Sequence, residues 1–562
     1  MKREINLIIN RTLFMSKFLC ILLLVFSCSG GDNGGNNPGG GGGTNPPSNI
    51  IPTNLTFNVE IVGSDSSNPN GDGKGLVKFS ASATNAVNYS FRFGTGDSKN
   101  SSNGAVEYTY SDVGTKSYDV KVLAYSSTND YISADKKITV YVKPEPNADL
   151  VNLLSGGSEK TWKINAAFDG HFSNGDPNFN YPAWWEAYAF SKNNVGFYDD
   201  EYTFKSDGTY SHKTNGNVYG KASYLKGTFG NTGQSENSSK EIENYTLQNY
   251  STTYFTKKEN DKDILEFSEK GFVGFFVGQH AYTIECSDEN NILFRSVDTQ
   301  GTAWYVWLTS QEVSSVASKD RYTKLIWSDE FNYTGKLDSN KWQYEVRNQW
   351  YNNEKQATTD RLDNAKVENG VLKITAKKES YGGKEYTSAR VRTYTKLDFT
   401  YGRVDIRAKM PSKGGTWPAL WMLGSNYSSV DWPACGEVDI LEHTGNNANR
   451  VQATVHFPDR YAGNGDTAIT NDYNDVTTNF HVYSVVWTPQ ALTFYVDDKP
   501  YHVVGNSCSI PFNWNFYIIL NVAMGGDMGG TIASDFNFDT MEVDYVRAVS
   551  YTHLTLPTIL LV

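Results

Sequence analysis

An all-β protein built from several modules is what this sequence predicts, and three observations predict it. Aromatic residues make up 14% of the 562, glycines number 49, and long runs with helical apolar spacing are hard to find. Short segments of alternating apolar and polar residues recur instead, punctuated by Gly, Asn, Asp and Pro, as half-buried strands do. Tryptophan is also unevenly spread: eight of the thirteen lie between Trp327 and Trp514. At about 150 residues per domain, the length predicts three or four domains.

The N-terminus reads as an export signal. From Met15, "MSKFLCILLLVFSC" has a basic residue and then an apolar run from Phe18 to Phe26. That run is about the length of a signal core and too short to span a bilayer. It closes on Ser27 and Cys28, similar to the lipobox of bacterial lipoproteins, with residues 1–27 removed and Cys28 lipidated. Starting at Met15 rather than Met1 gives the more usual signal length. Residues 28–50 are a Gly/Asn/Pro tether that cannot bury a core. The expectation is an outer-membrane lipoprotein displayed at the cell surface, touching the membrane through its lipid anchor only. A plain secretory signal, and a secreted protein, is the alternative.

Residues 51–143 alternate over short strands, among them "FNVEIV", "LVKFSAS" and "KKITVYV", as in a small sandwich. "FRFGTGD" followed by "YTYSDVGTKSYDVKV" resembles the PKD-type Ig-like domain. It has no Trp and no acid cluster, so a spacer is expected. "KPEPNADL" links it to residues 149–310, a second β-rich segment with hairpin signals such as Asp207-Gly208 in "YTFKSDGTYSHK". Its meander suggests a lipocalin-like barrel. Trp184 and Trp185 there are either core residues or a platform on which sugar rings stack. Residues 323–551 have the size of one large β-sandwich.

A net charge of −12 excludes nucleic acid as partner, since phosphate binding needs clustered Lys and Arg. Five scattered cysteines are too few for a disulfide framework or a zinc cluster. Cys435 and Cys508 either pair with each other or remain two buried thiols.

Chemistry concentrates in "CGEVDILEHTG", Cys435 to Gly445. Glu437 and Asp439 share a strand face by the period of two, but Glu442 should point away. One extra residue at Ile440-Leu441, a β-bulge, would bring Glu437, Asp439 and Glu442 to one face, and bulges occur beside active sites because they re-aim side chains. Retaining glycosidases need two carboxyl groups about 5–5.5 Å apart. A third, shorter acid between them would raise the acid's pKa by like-charge repulsion. Solvated acids on an amphipathic strand are the alternative.

The surrounding motifs resemble a known family. "LIWSDEFN", "NNEKQ", "SARVRT", "YGRVDIRAKMP", "GGTWPALWML", "GEVDILEH", "ATVHF", "ILNVAMGG" and "VDYVRAV" occur in this order. Together they are similar to the laminarinase branch of glycoside hydrolase family sixteen from about Lys324 to Ser550. The resemblance implies a C-terminal β-jelly-roll sandwich, concanavalin-like, and retaining endo-hydrolysis of β-1,3-glucan. It implies Glu437 as nucleophile, Asp439 as helper acid and Glu442 as acid/base. Trp417 and Trp421 match stacking residues, His456 the histidine beside the acid/base, and Arg390, Asn353 and Asn521 polar groove positions. Glu330, Gly370 and Asp544 match a structural Ca2+ site, with no cofactor needed for catalysis. The implied partner is a β-glucan polysaccharide bound by a monomer.

Two departures stand out. Leu441 occupies a position where laminarinases often carry Met, and the Tyr usual after the Gln of "NNEKQ" is absent. Residues 552–562 match nothing in the family, resemble translated adapter sequence, and are left unassigned. The rivals are a galactanase of the same fold, acting on agar or carrageenan, and an inactive glycan-binding surface lipoprotein.

Overall fold

The computed structural model describes residues 50–551. The expected signal peptide and lipidated Cys28, the expected tether up to residue 49 and the tail from 552 lie outside the described residues. The described residues divide into two compact units, one ending at Lys143 and the other beginning at Pro144.

In the first unit the alternating segments form two antiparallel sheets. Thr53–Ile61, Leu76–Thr84 and Ala105–Thr109 make one, and Ser98–Ser101, Asn88–Arg92, Gly114–Tyr125 and Tyr131–Val142 the other. The apolar member of each pair faces inward, so Phe57, Val77, Phe79, Phe91, Val120, Val122 and Val140 fill the space between the sheets. The two sheets thus enclose one core, as in a β-sandwich.

The second unit begins with a helix, Ala148–Ser155, capped by Asn147, whose side chain accepts from Leu150 N, and ended by Gly156 at φ 60°. An antiparallel meander follows. The strand Glu159–Ile164 pairs with Glu201–Lys205 on one side and with the end of Ala303–Thr309 on the other. The sheet therefore closes on itself as a barrel, which removes its edges. Trp162, Tyr202, Phe204, Tyr210, Leu265 and Phe294 fill the interior. Two short strands, Phe172–Gly175 and Trp185–Glu186, extend the sheet outside the closure.

The rest of this unit is a two-sheet jelly-roll sandwich. One sheet holds, in chain order, β1 (Gln343–Tyr344), β2 (Arg390–Arg392), β3 (Thr416–Gly424), β4 (Glu437–Thr444), β5 (Asn447–His456), β6 (Asp466–Thr470) and β7 (Phe516–Met524). Their spatial order is β1-β2-β7-β3-β4-β5-β6. The opposing sheet is built around Val371–Tyr381, Phe538–Tyr551, Gly402–Lys409 and His481–Trp487. Val404, Ile406, Phe494 and Val543 from that sheet meet Leu420, Val438, Ile440, Leu441 and Leu520 from the first.

Barrel and sandwich are joined tightly. Buried Asp169 accepts from the hydroxyls of Thr493 and Tyr495 at 2.8 and 3.2 Å, and Tyr181 packs edge-on against Phe457. Cys286 of the barrel is disulfide-bonded to Cys508 of the sandwich, across 222 residues. This corrects both readings of Cys508. Its partner is neither Cys435 nor absent, because the loop that carries it faces the barrel, where Ser509 donates to Asn180 O at 3.1 Å. Cys435 is a free buried thiol under Trp514, whose indole N–H reaches its carbonyl at 3.1 Å.

Candidate active site

Strand β4 starts at a tight approach. Gly436 has φ 79°, and a Cβ there would come within 2.8 Å of the Phe516 ring, so only glycine fits before Glu437. Along β3, Leu423 faces Glu437, Met422 faces Val438 and Trp421 faces Asp439; then Leu420 faces Leu441 and Ala419 faces Glu442. Ile440 is the extra residue. The bulge turns Glu437, Asp439 and Glu442 to one face and sends Val438, Ile440 and Leu441, all buried, into the core. The odd spacing of the third acid is a bend, as the motif predicts.

The three acids open on a cavity of about 470 Å³, walled by Trp350, Trp417, Trp421, Trp432, Arg390 and Asn521 among others. Such a volume lies within the ordinary range for ligand pockets. Trp417 Nε1 donates to Glu442 Oε1 at 3.1 Å, and Gln452 Nε2 to Glu442 Oε2 at 3.0 Å. Trp421, almost wholly buried, donates to Asn521 Oδ1 at 2.7 Å and carries the Arg390 guanidinium 4.5 Å from its ring centre. Trp417 and Trp421 therefore each have a hydrogen-bonding task besides the wall they form.

Strand register moves His456. It sits opposite Glu437, with Nε2 3.3 Å from Asp439 Oδ2 and 3.9 Å from Glu437 Oε1. The residue opposite Glu442 is Gln452. His456 also acts on Glu442, pulling its carboxyl down through charge, so it borders the whole acid cluster. Asn353 is also displaced: it and Asn352 both have left-handed backbones, and that turn aims Asn353 Nδ2 at Asp527 Oδ1, 2.6 Å away. Asn352, not Asn353, lines the cavity. Arg390 and Asn521 are cross-strand partners on β2 and β7 and do line it.

Sequence reasoning missed one cluster. Buried Glu345 lies within 2.9 Å of Arg347, 2.8 Å of Arg390 and 3.4 Å of Arg392. Arg390 is held between the rings of Trp350 and Trp421, 4.7 and 4.5 Å from their centres. Charge pairing and cation–π contact together fix its planar head. The only signal in the sequence was the alternation of Arg390 and Arg392.

The electrostatics follow from crowding. Burial and the neighbouring Asp439 push the Glu437 carboxyl up to about 8, against the pull of His456 and Arg390. Burial and Glu442 hold Asp439 well above the usual carboxylate range. Glu442 is raised by burial, opposed by its bonds from Trp417 and Gln452. Mutual repulsion makes the acids titrate as a unit and keeps a proton in the cluster near neutrality.

A stability consequence has a definite sign. Between about pH 4.3, the ordinary Glu value, and about 8, the folded chain binds more protons at Glu437 than the unfolded chain does. Stability then falls as pH rises through that window. Glu437→Gln is expected to raise Tm at pH 8 by about 2 °C or more, with the gain shrinking toward pH 4–5. Calorimetry at both pH values checks this; an equal gain at both refutes it.

The ligand atoms of Glu437, Asp439 and His456 lie within 4.8 Å of one another, a spacing a divalent cation can bridge. The implied Ca2+ residues fit less well. Glu330 gives both oxygens to Arg547, at 2.9 and 2.8 Å, and Asp544 pairs with Arg407 at 2.5 Å. Gly370 lies in the turn between Ala365–Glu368 and Val371–Tyr381. A hard cation needs six to eight oxygens, and here both carboxylates are already neutralised by guanidinium groups. The side chains as placed do not fit the ion.

Paired carboxyls on a bulged strand, in an aromatic-walled trough of a jelly-roll sandwich, define a glycoside hydrolase. Residues 352–547 match glycosyl hydrolases family 16. The β-glucanase of Rhodothermus marinus is 40% identical over 263 residues, covering 42% of this chain and 87% of that protein. The glucan endo-1,3-β-glucosidase of Cryptopygus antarcticus is 36% identical over 248 residues, 40% of this chain and 90% of that protein. Glucan endo-1,3-β-glucosidase A1 of Niallia circulans is 37% identical over 257 residues, 40% of this chain and 37% of that protein. The chain belongs to glycosyl hydrolases family 16.

Proposed function

We propose that the protein is a retaining endo-β-1,3-glucanase that acts by double displacement. The observation that carries this is the extra residue Ile440, which gathers Glu437, Asp439 and Glu442 on the cavity face of β4. Glu437, ionised, attacks the anomeric carbon and forms a glycosyl ester, while Glu442 delivers its proton to the departing glycosidic oxygen. In the second half Glu442 takes a proton from water, the water oxygen bonds to the anomeric carbon, and Glu437 leaves as carboxylate. Asp439, between the two, keeps a proton in the cluster. The 1,3 linkage is favoured over a galactan by the relatives, two of which carry that linkage in their names.

Reducing-end release from laminarin, agarose, carrageenan and lichenan tests the substrate, and NMR of the first-formed anomer tests the stereochemistry. Strong release from laminarin with β-anomer first is expected. Strong release from a galactan with none from laminarin overturns the substrate, and α-anomer first overturns the mechanism.

The site also belongs to a chain we propose is anchored at the cell surface through lipid on Cys28, on the strength of "LVFSC" and the tether after it. Labelled palmitate should enter the wild type and not Cys28→Ala; equal labelling of both refutes the anchor.

A further inference from the structure

Aromatic residues lead out of the cavity as far as Tyr461, which adjoins a contact with the barrel. His456, 3.3 Å from Asp439, packs against Trp432 with ring centres 5.8 Å apart. Trp432 lines the cavity and meets Tyr461 edge-on at 5.6 Å. Next to Tyr461, Arg460 reaches across to the barrel and donates to Ala183 O at 2.9 Å, its other nitrogen being held by Asp466 at 2.8 Å. The residues after Ala183 are Trp184 and Trp185. Of these side chains, Trp432 is 44% exposed, Tyr461 46%, Trp184 56% and Trp185 39%. These are large apolar faces left in water at a cost that packing elsewhere in the barrel avoids. Of the two readings of the Trp pair, the core reading fails.

The platform is also held rigid. Glu186, the residue after Trp185, accepts from Gly505 N of the sandwich at 3.3 Å. Trp185 is pinned edge-on to Phe172 with Lys192 over its ring at 5.5 Å. The Cys286–Cys508 bond and buried Asp169 fix the whole barrel to the sandwich. A fixed platform binds without the ordering cost of a tethered one.

We propose that Trp184, on the segment that Trp185 pins, offers a sugar-stacking face that engages the distal part of the same β-glucan chain the cavity holds, with Tyr461 and Trp432 between. This rests on the glucanase reading above. The barrel then serves to hold polymer, and short oligosaccharides that end within the cavity do not reach it.

The test compares the full-length wild type with Trp184→Ala on polymeric laminarin and on laminaritetraose. KM for the polymer is expected to rise about 3- to 10-fold, with kcat and both tetraose constants as in the wild type. Trp184→Phe, which keeps an aromatic face, should restore most of the polymer KM. Unchanged polymer KM, or a rise equal for polymer and tetraose, overturns the platform. Wild-type chain that cleaves neither glucan would instead refute the glucanase reading, and the glucan partner with it. Matching Tm values for the two chains exclude misfolding as the cause of a KM rise.

Discussion

Glu437→Ser should abolish turnover of laminarin, by about 10⁴-fold or more in kcat, while the affinity for laminarin oligosaccharides stays within about 3-fold. The argument is geometric. Glu437 heads the bulged strand, opposite Leu423 and His456, and faces the cavity. Serine has no carboxylate to reach the anomeric carbon and form the ester. The aromatic walls, Arg390 and Asn521 do not depend on Glu437 for their positions: Arg390 is held by Glu345, Trp350 and Trp421, and Asn521 by Trp421. Binding should therefore survive. Burial and Asp439 make the Glu437 carboxyl a costly group to keep at neutral pH, so the variant should be at least as heat-resistant as the wild type. Stopped assays over hours, with calorimetric titration of an oligosaccharide, give both readouts. Turnover within 10-fold of wild type would mean that the ester forms elsewhere.

The bulge was legible because two independent constraints agreed. Three acids had to be weighed against the period of two, and Ile440-Leu441 supplied two adjacent apolar residues for one core. The family motifs pointed to candidate residues, but not to how strands register. His456 shows the difference: its presence in "ATVHF" was readable, whereas its place opposite Glu437 rather than Glu442 depends on the shift that the bulge imposes between β4 and β5. Asn353 failed for a similar reason. Its neighbour Asn352 takes the cavity position because two successive left-handed residues turn the loop. The barrel meander was visible in its alternation, but its closing pair, Leu308 with Ile164, joins residues 144 positions apart. The Cys286–Cys508 bond likewise joins distant chain segments, and no local pattern marks it. Glu345 left no trace at all. One acid among 62 Asp and Glu becomes distinctive only when three arginines converge on it.

Glu442→Ala should divide substrates by their leaving groups. Glu442 is the acid with the most donors, Trp417 on one oxygen and Gln452 on the other, which fix the direction in which its proton is offered. A sugar alkoxide is a poor leaving group and needs that proton as the bond breaks. For laminarin the loss in kcat/KM, which reports the first displacement, should be about 10²- to 10⁴-fold. A dinitrophenyl glycoside leaves without help, so its kcat/KM should fall by less than about 10-fold. Its kcat falls further, because water in the second step loses its base, and KM falls with it as glycosyl-enzyme accumulates. Azide, which attacks without giving up a proton, should then raise kcat for the activated substrate and yield a glycosyl azide of retained β configuration. If the loss in kcat/KM were the same for laminarin and the dinitrophenyl glycoside, Glu442 would be a group that binds the sugar. An azide product of α configuration would place the covalent bond on the wrong face for Glu437. The split between substrates separates proton donation from a merely structural role, since a collapsed cavity would slow both alike.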